Sequence, residues 1–145
     1  MKKALSWQAL INGPKADMFT EKLSEIAHIL EEQVNELGDI GLLTGKTGIA
    51  LFFLYYSRLT GEEAYSQGGV DIIADILDTV NSEQVMHTYC SGLCGIGWAI
   101  EHVVRNDLVD ADSDELLSGL DTLLNASMLH DAREKYFDFL HENKV

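Results

Sequence analysis

The chain is short of proline, cysteine and positive charge. Its single proline, Pro14, leaves every later segment free to be helical. Two cysteines, Cys90 and Cys94, do not make the disulfide framework of a small secreted domain, so the expected compartment is the cytoplasm. Ten basic side chains stand against 24 acidic ones, for a net charge of −14. That surface repels phosphate backbones and anionic lipid, which excludes nucleic acid and membrane as expected partners and suits a basic peptide better. No apolar run is long enough to span a bilayer. The opening Met-Lys-Lys-Ala-Leu-Ser begins like the basic end of a signal peptide, but polar residues and Pro14 interrupt the stretch from Trp7 to Lys15. Hydrophobic side chains are plentiful, 46% of 145 residues, enough to give a single domain over 1–145 a real core.

The hydrophobic pattern is helical throughout. Over residues 16–37, Phe19, Leu23, Ile26, Ile29, Leu30, Val34 and Leu37 recur at three- and four-residue steps, with charges opposite, and Gly38 is placed to end the helix. His28 sits on its rim with no ligand partner in sight. The stretch from Gly41 to Arg58 is apolar all round in its second half, the mark of a buried helix, and Gly61 closes it. Residues 62–80 form an amphipathic helix through Ile72, Ile73, Ile76, Leu77 and Val80, weakened early by Gly68 and Gly69. A loop at 81–89 leads to a second apolar helix over 92–104. Residues 112–124 are amphipathic again, with Asp112 or Ser113 as N-cap, and a separate short segment is expected over 131–141.

Surface and buried helices thus alternate, and the two buried ones open alike. Thr44-Gly-Lys-Thr-Gly-Ile-Ala-Leu-Phe lies over Ser91-Gly-Leu-Cys-Gly-Ile-Gly-Trp-Ala with hydroxyl, glycine, glycine and isoleucine in register, 92 − 45 = 47 residues apart. This is the period of stacked helical-pair repeats. Each glycine pair lets the first turn of a buried helix approach another backbone, and Thr44 and Ser91 stand where an N-cap hydroxyl would serve. The expected fold is all-α: an α/α barrel or toroid, or part of one.

Chemistry-bearing patterns fall short of complete sites. Gly41-Leu-Leu-Thr-Gly-Lys-Thr has three residues between its glycines where a phosphate-binding P-loop needs four, and no strand pattern precedes it. An anion at the helix N-terminus beside Lys46 is the weaker alternative to close packing. His87, Cys90 and Cys94 are near one another in sequence, but zinc takes three or four ligands and this set stays incomplete unless His102, His130 or His141 joins it. Cys94 replaces Thr47 of the first copy, where a small residue is wanted, so a buried structural thiol is the expected reading. Asp107, Asp110, Asp112, Asp114 and Glu115 lack calcium-loop spacing and read as a solvated helix entry.

Together, Gly41 to Gly61 and Cys90 to His102 resemble the first two inner helices of lanthionine synthetase C-like (LanC-like) proteins. The resemblance implies an α/α toroid of paired helices and, for the family's cyclases, a zinc ion that activates a peptide cysteine for addition to a dehydrated serine or threonine. It implies two complete repeats here and a third that begins at Tyr136-Phe-Asp-Phe-Leu-His and is cut off at Val145. The family's zinc ligands, two cysteines and a histidine, come from later repeats; Cys90, Cys94 and His141 do not match them. No catalytic, cofactor-binding or metal residue is therefore assigned, and the chain alone is expected to be non-catalytic. The alternative is a stand-alone helical module for peptide binding or protein association. An open toroid is expected to expose the flanks of Phe52, Phe53, Tyr56, Trp98 and Ile100 and so to form a homo-oligomer.

Overall fold

The computed structural model describes residues 16–143, and side chains as far as Lys135. Residues 1–15, and with them the basic opening segment, lie outside the described residues, as do the side chains of the expected third repeat and of His141.

Five α-helices and one short 3-10 turn, with no strand, make up the described residues: α1 Ala16–Gln33, the turn Val34–Glu36, α2 Lys46–Thr60, α3 Glu63–Ser82, α4 Leu93–Arg105 and α5 Ser113–Asn143. The all-α expectation holds. α3 packs along α2 and α5 along α4, giving two hairpins, and α2 lies beside α4. None of these helices is long and apolar enough to cross a membrane.

Local chemistry sets most of the boundaries. α2 ends where Gly61 turns left-handed at φ 78°, and the Gly61 amide closes on the Ser57 carbonyl. α5 begins directly after Asp112, whose Oδ1 accepts the Asp114 amide at 2.9 Å and satisfies an amide that the first turn leaves free. Gly38 is not a cap: α1 passes into the 3-10 turn and ends at Leu37 in extended backbone. The expected break before residue 131 does not occur either. Residues 125–130, Asn-Ala-Ser-Met-Leu-His, contain neither glycine nor proline, so nothing stops the backbone from continuing as one helix.

The core joins both hairpins. Ala50 and Phe53 of α2, Ile72, Ile76 and Val80 of α3, and Leu93, Ile96 and Ile100 of α4 form one buried cluster that Val34, Ile40 and Leu120 extend. Each large aliphatic or aromatic member contributes roughly 1.5–3 kcal/mol of burial. Phe53, Tyr56 and Ile100 are buried, contrary to the expectation of exposed flanks. α1 and α3 already cover the α2 aromatics: Tyr65 packs edge-on against Tyr56 at 4.8 Å and tilted against Phe53 at 5.5 Å. Trp98 alone of that group is open, at 45% exposure. Other open apolar side chains are Met18, Phe19, Ile26 and Ile29 on α1, Leu43 and Met86 on the loops, and Met128 and Leu129 on α5.

Candidate functional site

The two glycine-led helix starts lie together and are built alike. The Lys46 amide donates to the Asp39 carbonyl at 2.9 Å, and the Leu93 amide donates to the Met86 carbonyl at 2.9 Å. Both donors and both acceptors are 47 residues apart, so one loop geometry is used twice. Each loop folds its own backbone across its own helix start. A Cβ on Gly45 would strike Asp39 and Gly41 backbone, and one on Gly92 would strike the Met86 carbonyl oxygen. The close approach inferred from the glycine pairs is real, and the backbone approached is the preceding loop. The second glycine of each pair does the same, Gly48 against the Leu42 carbonyl and Gly95 against the Tyr89 carbonyl.

The hydroxyls do other work than expected. Gly45 and Gly92 are the N-cap residues, with no side-chain cap. Thr44 Oγ1 donates to Asp39 Oδ2 at 2.5 Å, while Asp39 Oδ1 accepts the Gly41 amide at 2.8 Å. The Thr44 bond first, and the Gly41 bond second, hold the Asp39 carboxyl below its ordinary pKa against a smaller opposing effect of burial. Ser91 Oγ instead meets Thr88 Oγ1 at 3.0 Å. The buried hydroxyl is that of Thr47, which donates to the Ile40 carbonyl at 2.6 Å. The two loops also join: the Leu43 amide donates to the Cys90 carbonyl at 3.0 Å, and a Cβ on Gly41 would come within 2.5 Å of Ser91 Cα.

No anion site results. Lys46 Nζ is committed to Asp75 at 2.6 Å, and the Lys46 and Leu93 amides already have carbonyl partners. Nor do the residues fit zinc. Cys90 is exposed, Cys94 is half-buried in the first turn of α4, and His87 turns toward α5, where its Nδ1 lies 3.4 Å from Asp131 Oδ2. That separation falls short of a formed hydrogen bond, and the buried Nδ1 has no other partner. Among the described residues no three His, Cys, Asp or Glu side chains gather as metal ligands. His102, raised as a further ligand, pairs with Tyr55 instead. His130 lines a cavity of about 260 Å³ with Val80, Leu93, Leu123 and Ser127. His28 is exposed beside Glu32, and the acidic side chains of 107–115 lie at the solvent-facing entry to α5, as their reading as a solvated helix entry requires.

One cluster was missed in the sequence. Tyr55 Oη lies 2.7 Å from His102 Nε2, joining α2 to α4. Trp98 stacks on the His102 ring at 4.8 Å, and Tyr89 meets Trp98 edge-on at 6.3 Å. The signal was available, because 55 + 47 = 102: the pair occupies equivalent positions of the two repeats. Where α2, α3 and α4 meet, the remaining space is about 10 Å³, no more than a single water could fill, and is lined mostly by aliphatic side chains.

A repeated glycine-led loop, doubled at 47 residues and carrying paired helices, is the arrangement that the resemblance implied. The family model for lanthionine synthetase C-like proteins matches residues 36–142. The chain belongs to that family. The match begins in the turn before the first loop and runs through both hairpins, so that of the described helices α1 alone lies outside it. Comparisons with curated proteins and with solved structures gave no match. In this LanC-like chain the repeated element is therefore the loop and the helix it opens, with Tyr55, Trp98 and His102 on the helix faces that the loops position.

Proposed function

We propose that this chain supplies two helical hairpins of a LanC-like α/α toroid, as one cytoplasmic helical domain, and acts as scaffold and wall for chemistry whose metal ligands lie in other repeats. The family's activity is zinc-dependent thioether ring formation, and zinc supplies a Lewis acid that favours the thiolate of a peptide cysteine. The observation that carries the reading is the duplicated loop, with Lys46 to Asp39 and Leu93 to Met86 bonded identically. On this reading α2 and α4 are adjacent inner helices, with α3 and α5 outside, and Cys90, Cys94 and His87 take no part in metal binding. The test is elemental analysis of the purified chain with a thiol-addition assay on a dehydrated peptide. The expected result is no stoichiometric zinc and no turnover; stoichiometric zinc with turnover would overturn it.

A second reading, a module for protein association, is favoured by one feature, the half-open aromatic face at Tyr89 and Trp98.

A further inference from the structure

α1 carries more apolar surface than the core takes up. At about 100° per residue, Leu23, Ala27 and Leu30 share the face turned to the core, with Ala27 buried and the two leucines half-buried. Met18, Phe19, Ile26 and Ile29 make a second strip beside that face, and these four stand 45% to 57% exposed. Glu21, Glu25 and Glu32 follow the outer edge of the strip. The only base of α1, Lys22, is committed to Glu25 at 2.6 Å. The last turn has no basic side chain, so Glu31 and Glu32 stand uncompensated at the negative end of the helix dipole. The strip therefore fits a segment that is apolar along one side and cationic at its rim.

Residues 1–15 have that chemistry in their sequence. They hold Lys2, Lys3 and Lys15 and no acidic side chain, within a chain of net charge −14. Ala4, Trp7, Leu10 and Ile11 recur at three- and four-residue steps, and Asn12-Gly13-Pro14 is turn chemistry placed just ahead of α1. A connection of two to five residues between helical segments sets them antiparallel. The lengths agree as well: residues 1–11 and the stretch from Met18 to Ile29 each span roughly 16 Å at the helical rise. Folded back from the turn, Lys2 and Lys3 reach the half of α1 that carries Glu25, Glu31 and Glu32. The tether holds the segment at an effective concentration on the order of millimolar, which favours it over an untethered partner of the same chemistry.

We propose that residues 1–11 dock antiparallel on the Met18–Ile29 strip of α1 in the same chain, Trp7, Leu10 and Ile11 meeting the apolar side chains and Lys2 and Lys3 the acidic edge. α1 lies outside residues 36–142, so this contact is separate from the matched LanC-like repeats and does not depend on their scaffold role.

Trp7 fluorescence reads the contact. Trp98 is the other tryptophan, so the Trp7 signal is taken as the difference between the full chain and its Trp7→Phe variant. In the full chain Trp7 is expected to emit to the blue of the free peptide of residues 1–15. Ile26→Glu on the exposed strip is expected to return the emission to that of the free peptide, with Ile29→Gln as a milder second variant if circular dichroism shows Ile26→Glu losing helicity. Lys2→Glu combined with Lys3→Glu is expected to reduce the blue shift, and Leu129→Glu, at an open site on α5, to leave it unchanged. Deleting residues 2–12 is expected to raise the binding of an apolar dye, and the free peptide at millimolar concentration to reverse that rise. Trp7 emission equal to that of the free peptide would overturn the proposal. So would a blue shift that survives both strip variants, or a deletion that leaves dye binding unchanged. A blue shift that grows with protein concentration across the micromolar range would overturn it too, because the segment would then be seated on a second copy.

Discussion

The two hairpins share a loop and differ in how their second helices, α3 and α5, are held. In the first, α3 buries Gly69, Ile72, Ile76 and Val80, and the aromatic group of Phe52, Phe53, Tyr56 and Tyr65 fills the space beside α2. In the second, α4 buries six residues, yet α5 buries only Leu120 among its described side chains. α4 shares a buried core with the first hairpin, and its own partner rests on it through half-buried leucines at 116, 117, 123 and 124. The turns differ likewise, a left-handed glycine at Gly61 in one and an acidic segment with Asp107 at φ 52° in the other. The lesson is that identical loops do not require identical hairpins: the loop geometry is set by backbone contacts, and the hairpin by side-chain volume.

The largest expected effect falls on the loop that the hairpins share. Gly45→Ala and Gly92→Ala each drive a Cβ into fixed backbone, and each is expected to cost about 3 kcal/mol or more, read by thermal melting. A Gly92→Ala variant of wild-type stability would break the equivalence of the loops. Next comes the contrast between α3 and α5. Ile76→Ala, at 1% exposure, is expected to cost roughly 3–5 kcal/mol and Leu120→Ala roughly 2–3 kcal/mol, compared by urea denaturation. Equal losses would remove the asymmetry. Thr47→Val leaves the Ile40 carbonyl without its donor inside the core and is expected to cost about 1–2 kcal/mol. Gly119 has no atom within 4 Å of an added Cβ, so Gly119→Ala is expected to stabilise α5 by about 0.5–1 kcal/mol, the opposite sign to Gly92→Ala.

The smallest effect is that of pH on the first loop, which has no counterpart in the second because Met86 replaces Asp39. The folded Asp39 pKa lies below its ordinary value of 3.8, so the contribution is complete above that value and is lost as pH falls through the folded pKa. Thr44→Ala removes the largest cause of the depression. Its stability deficit relative to wild type is expected to be constant near neutral pH and to shrink below about pH 3.8. A deficit that stays constant to lower pH would assign Thr44 a role other than stabilising the carboxylate.

Much of this was legible in the sequence, and the misses have physical reasons. Four helices over residues 16–105, the left-handed end at Gly61, the Asp112 cap and the 47-residue register follow from periodicity and cap chemistry, which act locally. The single helix α5 was read as two because its apolar stripe stops after Leu124, and helix continuity depends on backbone propensity as well as on a stripe. The roles of Thr44 and Ser91 were misread because a loop carbonyl six residues ahead of each glycine competes successfully for a first-turn amide. Burial of Phe53, Tyr56 and Ile100 depends on Tyr65, α1 and the facing hairpin, and no local pattern reports that. The pairing of Tyr55 with His102 was within reach of the repeat arithmetic and needed only the register carried two turns further.

The central claim is that one loop is built twice and that the two copies join through Leu43 and Cys90. Hydrogen exchange by NMR tests it at three amides. Those of Lys46, Leu93 and Leu43, each bonded to a loop carbonyl at 2.9 to 3.0 Å, are expected to be protected together, near the level of the α2 and α4 interiors. Protection of Lys46 with free exchange at Leu93 and Leu43 would contradict the claim, since the second loop would then be neither a copy of the first nor attached to it.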